Sequence, residues 1–173
     1  MKTELPVRKR LRIENYDYST PGAYFITFCT HDRRNMLSSI VRAIHESPVP
    51  QLTLCGKLVD NVIQNIPQHL HVAVDQYVIM PNHVHLILII AEEDVIHSIR
   101  QSPLRSRSII SKAVGYIKMN ASKEIRQHYG NITVWQRGYH DHVIRNQEDY
   151  EMIAKYIDEN PVRWELDRLY REE

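Results

Sequence analysis

The hydrophobic pattern changes period several times along the chain, and each change predicts an element. From Tyr77 to Ile90 the run YVIMPNHVHLILII is almost wholly apolar and rich in β-branched residues, which predicts strands buried on both faces. Pro81 and Asn82 split it, so VAVDQYVIM and HVHLILII are expected as two strands joined by a turn. GAYFITFCT, Gly22 to Thr30, predicts another strand after a Thr-Pro-Gly turn. LTLCGKLVDNVIQNIP predicts a helix, with Leu58, Val62 and Ile66 four apart and Pro67 behind them. SIISKAVGYIKMNASKEIRQ predicts a second helix. It carries Ile110, Ala113, Val114, Ile117, Ala121 and Ile125 on one face, with Lys112, Lys123 and Arg126 opposite. NITVWQRGYHDHVIRN is a short strand or a loop. QEDYEMIAKYIDENP is a last helix with Asn146 as N-cap and Pro161 as its stop.

The order is strand, helix, strand, strand, helix, strand, helix. It fits an α+β fold, a ferredoxin-like antiparallel sheet covered by helices. AEEDVIHSIRQSPLRSRS is expected to be a long loop.

Composition adds bounds. The chain of 173 residues, with 43% hydrophobic and 25% charged residues, predicts one soluble domain over residues 1–173, with a basic arm over about the first fifteen. The longest apolar run is too short to span a bilayer, and MKTELPVRKRLRIE lacks the apolar stretch of a signal peptide, so a cytoplasmic location is expected. Cys29 and Cys55 make no metal-spaced or redox pair, and are expected to be reduced. The net charge of +1 hides an uneven spread. Arg8, Lys9, Arg10 and Arg12 open the chain, and seven basic residues against one acid lie between Arg100 and Arg126. Such zones suit a polyanion, although solvated helix faces have the same composition.

His83 and His85 are the chemical puzzle. Burying an unpaired polar group costs about 2–7 kcal/mol. Alternation places both imidazoles on one face of a strand, where they can share a divalent ion or each find a hydrogen-bond partner. The last helix has the apolar stripe Tyr150, Ile153, Ala154 and Ile157, with Tyr156 beside it and Asn160 one turn on. A phenol is a potential nucleophile and an amide oxygen a potential ligand for a hard metal. A boundary tyrosine and a helix-terminal asparagine fit the same spacing.

MPNHVH (Met80 to His85), WQRGYHDHVIRN (Trp135 to Asn146) and YIDENPVRWELD (Tyr156 to Asp167) occur in this order. Together they resemble the REP-associated tyrosine transposases, within the single-tyrosine HUH transposases of the IS200-like fold. GAYFITFCTHDRRNML resembles the same family's first strand, and the likeness spans roughly residues 8–168. It implies that His83 and His85, on a central strand, are metal ligands and that Tyr156, on a C-terminal helix, is the catalytic tyrosine. Asn160 stands where related transposases place a glutamine ligand. His142 matches a family histidine near the site, and Asp141 beside it is expected to support that site.

The implied activity is metal-dependent cleavage and rejoining of single-stranded DNA, through a 5′-phosphotyrosine intermediate and with Mg²⁺ or Mn²⁺ as cofactor. The implied partner is a hairpin from palindromic repeats, and a homodimer is compatible with the family. Arg105, Arg107, Lys112, Lys118 and Lys123, with the N-terminal Arg8, Lys9, Arg10 and Arg12, are the expected phosphate contacts. Trp135 and Tyr139 are expected to stack on or touch bases, with a core role for Trp135 as the alternative. Two other functions remain open: a retired or regulatory hairpin-binding protein, and a metal-dependent nuclease that uses water.

Overall fold

The computed structural model describes residues 20–42, 47–70, 72–93 and 108–172. Four strands form the main antiparallel sheet in the order β4-β5-β1-β6. They are β1 (Gly22–Cys29), β4 (Ala73–Ile79), β5 (His83–Ile90) and β6 (His140–Ile144). Helix α1 (Leu54–Gln64) connects β1 to β4, and α3 (Ile109–Tyr129) precedes β6. This connectivity and strand order are those of the expected ferredoxin-like sandwich. The Pro81-Asn82 turn joins β4 to β5, closed by the Met80 N–H donating to the His83 carbonyl at 2.9 Å.

Alternation divides the sheet into two faces. Tyr24, Ile26 and Phe28 of β1 and Val84, Leu86, Leu88 and Ile90 of β5 pack with the apolar stripes of α1 and α3 into one core. All six stripe residues expected on α3 are buried. Phe25, Thr27 and Cys29, opposite Ile87, His85 and His83, occupy the other face. Helix α4 (Gln147–Glu159) lies across β4, and Asn146 caps it by accepting the Asp149 N–H. Tyr150 donates to Asp75 and Gln76 donates to Asp158, both at 2.6 Å, next to a register shift in β4. Of the stripe expected on α4 only Ile157 is fully buried. Tyr150, Ile153 and Ala154 are half-buried, because the helix spans a rim of the sheet rather than its centre.

Two features depart from the expectation. Residues Ser38–Val41 (β2) and Val49–Leu52 (β3) form a separate two-stranded ladder. Each strand has only four residues, and neither Ser38-Ser39 nor Pro50 carries a strand signal. Pro67 does not merely follow a helix: it sits in the first turn of a short one, α2 (Ile66–His69), where proline's missing N–H is harmless. Most of the expected long loop lies outside the described residues. Cys29 and Cys55 are buried and unpaired. Among the described residues no helix is long and apolar enough to cross a membrane.

Candidate active site

His83 and His85 project from central strand β5 beneath α4 and the segment that follows it, and both are essentially inaccessible, at 0% and 1% exposure. Each ring has its Nδ1 engaged by a neighbouring side chain. Asn82 donates its Nδ2 to the carbonyls of Leu169 (2.9 Å) and Arg33 (3.3 Å), so its oxygen faces His83. His83 Nδ1–H donates to that oxygen at 2.9 Å, which leaves Nε2 with a free lone pair. His85 Nδ1 lies 2.7 Å from the Thr27 hydroxyl, which can donate or accept and therefore serves either tautomer. Burial pushes both imidazoles well below their ordinary pKa, and His83 adds to the effect on His85. Both rings are neutral at pH 7, the form that binds metals.

Tyr156 and Asn160 come from the end of α4, four residues apart as expected. After Asn160 and Pro161 the chain turns through a short 3₁₀ segment, Trp164–Leu166, and delivers Asp167 to the same place. The Tyr156 hydroxyl donates to Asp167 Oδ2 at 3.1 Å and sits 3.3 Å from His85 Nε2. Asn160 Nδ2 donates to the same carboxylate oxygen at 3.0 Å. Phe25 stacks on His85 at 5.2 Å and meets Tyr156 edge-on at 6.1 Å, while Trp164 lies 5.8 Å from the His83 ring. Burial, followed by the Asp167 charge, pushes the Tyr156 phenol up to about 12. Burial also acts to raise Asp167, but the Leu169 N–H, the Asn160 amide and neighbouring groups outweigh it and hold the carboxyl below its ordinary range. The site therefore contains an ionised carboxylate beside a protonated phenol.

Two atoms here break the rule that buried polar groups find partners. His83 Nε2 and Asn160 Oδ1 are both buried and have no hydrogen-bond partner among the described residues. Beside them, one donor atom from each of His83, His85 and Asp167 lies within 4.8 Å of the other two. Two neutral nitrogens, a carboxylate and an unpaired amide oxygen fit a divalent cation of the first transition row or Mg²⁺. The outward hydrogen bonds to Asn82 and Thr27 are those that orient imidazole ligands.

The other expected residues separate into groups. His142 is cross-strand from Phe25, on the same face as the histidine pair, and its Nε2 lies 2.9 Å from Asp149. Asp141 pairs with Ile26 on β6's opposite side and therefore belongs to the helix-covered face, away from the histidines. Helix α3 with Lys112, Lys118 and Lys123 is also on that far face. Lys118 is not a free phosphate contact: its ammonium donates to the carbonyls of Gln136 and Gly138. Trp135 is a core residue, 8% exposed, edge-on to Phe28 and bonded through Nε1 to the Lys118 carbonyl. Tyr139 is half-buried with its hydroxyl 3.0 Å from that of Ser111. Arg8, Lys9, Arg10, Arg12, Arg105 and Arg107 lie outside the described residues. Sequence reasoning missed Asp167, Thr27 and Asn82. Asp167 stands eleven residues after Tyr156, past a proline, where no helical period reaches.

Comparisons with known proteins identify the family and the fold. The IS200-like transposase family model matches residues 20–160. A Haemophilus influenzae protein without assigned function is 33% identical over 94% of this chain and 93% of its own length. Another from that organism, provisionally named a REP-associated tyrosine transposase, is 26% identical over 87% of this chain and 77% of its own. The solved structure of a REP-associated tyrosine transposase bound to a REP hairpin superposes with a TM-score of 0.60. It is 21% identical and covers 88% of this chain and 74% of that one, a likeness of fold. With a family match across most of its length, and with the resemblance carried by its three motifs borne out, this chain belongs to the IS200-like transposases.

Proposed function

We propose that this transposase cuts and rejoins single-stranded DNA beside a hairpin, with Tyr156 as the nucleophile. The observation that carries the reading is the position of the Tyr156 hydroxyl. It lies 3.3 Å from His85 Nε2, a residue 71 positions earlier, at the edge of the donor cluster. His83 and His85, with Asp167 and the oxygen of Asn160, would hold the divalent ion, and two nitrogens in the set favour Mn²⁺ over Mg²⁺. When bound, the ion supplies Lewis acidity toward a phosphate oxygen.

The phenol is protonated at neutral pH, so its attack requires a proton acceptor. Asp167 Oδ2, already receiving that hydrogen bond, is the acceptor nearest to it. Attack forms a bond from the Tyr156 oxygen to phosphorus and breaks the bond to the 3′-oxygen, which takes up a proton. The products are a 5′-phosphotyrosine and a free 3′-hydroxyl. Reversal by another 3′-hydroxyl joins a new strand and requires no nucleotide cofactor, since the phosphodiester linkage is exchanged rather than hydrolysed. By analogy with the hairpin-bound relative, the substrate class is a palindromic-repeat hairpin with a single-stranded foot.

The test is incubation of the protein and of Tyr156→Phe with Mn²⁺ and hairpin oligonucleotides labelled at either end. A covalent adduct carrying only the 3′-label, absent from the Phe variant, is the expected result. Cleavage that survives the substitution without an adduct would replace this mechanism with a water-using nuclease. Binding without cleavage by the wild type would favour a retired hairpin-binding protein.

A further inference from the structure

The corner where the turn after β1 meets the segment following α4 is crowded with arginines, and most of them have partners. Arg34 donates to the carbonyls of His31 and Thr133, and Arg171 donates to that of Asp32. Arg42 pairs with Glu165 and Arg163 with Glu159. Arg33 and Arg168 differ. Among the described residues neither guanidinium has an ion pair or a hydrogen bond, while the nearby Asp32 is paired with His31.

These two arginines flank the histidine site. The Asn82 amide that fixes the His83 tautomer donates to the carbonyl of Arg33 on one side and of Leu169, next to Arg168, on the other. The backbone of Arg33 and that of Leu169, the residue after Arg168, are therefore tied to a single side chain that touches His83. Arg33 is held there at a conformational cost: Asp32 and Arg33 have φ of 55° and 54°, the left-handed region that residues other than glycine rarely adopt. Such strain persists where surrounding bonds impose it, and it concentrates at sites of function. Both charges lie close enough to act on the His83 ring, and that of Arg168 acts on Tyr156 as well.

We propose that Arg33 and Arg168 clamp the phosphodiester attacked by Tyr156, each donating to its non-bridging oxygens. The inference rests on the transesterase reading and adds a partner for the substrate itself. An attacked phosphate gathers negative charge on those oxygens, and a guanidinium presents paired N–H donors that match them. Arginines left unpaired beside a buried donor cluster are available for that contact.

The test uses the full chain with Arg33→Gln, Arg168→Gln and the double variant, the corresponding Lys variants, and Lys57→Gln on the far side as a reference. Hairpin-DNA binding is followed by fluorescence anisotropy across a salt series in a Tyr156→Phe background. Single-turnover cleavage is measured with Tyr156 intact. Each Gln variant is expected to lower the slope of log affinity against log salt by about 0.7, the value for one lost single-strand phosphate contact. Each is also expected to slow cleavage about 100-fold, the loss typical of one transition-state donor. The Lys variants should keep the slope and recover only part of the rate, and Lys57→Gln should change neither. In the wild type, bound hairpin should protect Arg33 and Arg168 from phenylglyoxal, a readout that does not depend on how the variants fold. A folded double variant within twofold of wild type in slope and rate, or labelling unaffected by DNA, would overturn the clamp and leave the Tyr156 reading intact. A wild type that binds DNA and forms no adduct would remove the transesterase reading, with the slope and protection still deciding the phosphate contacts. A wild type that binds no DNA would overturn both.

Discussion

Strand β5 serves two regions built from alternate residues of one sequence. Val84, Leu86, Leu88 and Ile90 face α1 and α3 and pack into the apolar core. His83 and His85, one position out of phase, face α4 and the following segment and meet a phenol, an amide and a carboxylate. Both sets are equally buried. What separates them is satisfaction: the β5 side chains of the first face carry nothing polar to satisfy, while those of the second meet a site in which His83 Nε2 and Asn160 Oδ1 are unpartnered among the described residues. Burial on one face is therefore a source of stability, and on the other a store of unsatisfied bonding capacity that a ligand can discharge.

The comparison can be broken from either side. Leu86→Ala, on the apolar face, should destabilise the fold by about 2–5 kcal/mol in urea titrations and leave the metal affinity of the folded fraction unchanged. Asp167→Asn should do the reverse, with a melting temperature near wild type and Mn²⁺ affinity reduced about 10–100-fold by calorimetry, on the scale of losing a metal-site partner.

Acid sharpens the contrast further. His83 stays neutral in the folded chain down to a pKa of about 4, whereas an unfolded histidine takes up its proton near 6.5. The unfolded state therefore binds more protons as pH falls from 6.5 toward 4, and stability drops across that window. The drop is at most about 1.4 kcal/mol per pH unit for each such ring, and stability is flat above 6.5 on this account. Denaturant midpoints measured from pH 7 to 4.5 should show the slope, and His83→Gln should reduce it to the part that His85 contributes. Thr27→Val should have the smallest effect. It removes a hydroxyl that suits either tautomer of His85, and a loss of metal affinity below about tenfold is expected.

The two faces were not equally legible in the sequence. The apolar face follows from period alone: strand alternation in β1 and β5, and a stripe at helical spacing in α3, announce it residue by residue. On the site face, the histidines stand out because imidazoles are costly in an apolar run, and Tyr156 and Asn160 because they share a ridge of α4. Asp167 follows a proline and a 3₁₀ turn and Thr27 acts across a strand register, so no local pattern connects them to the pair, while Asn82 adjoins His83 but reads as a turn residue. Trp135 carries the opposite lesson. An indole suits both a core and a base-stacking site, and only its packing against Phe28 and Lys118 distinguishes the two. The basic residues of α3 do lie opposite its buried stripe, but their charge says nothing about which side of the sheet the helix occupies.

The strand order also sets when the molecule can assemble. The β4–β5 hairpin is local and carries both histidines, so it can close within about 1–10 μs of the onset of folding, the time of an isolated hairpin. Strand β1 has no such neighbour: Gly22 pairs with Ile90 and Ala23 with Ile144, each across a long stretch of chain. Closing those loops comes before their contacts reward it, which places completion of the sheet on the slower timescale of non-local topologies. The histidine pair is thus the first part of the site to exist and its framework the last, so stopped-flow refolding should show the β1-dependent phase, and not the hairpin, governing the return of DNA cleavage.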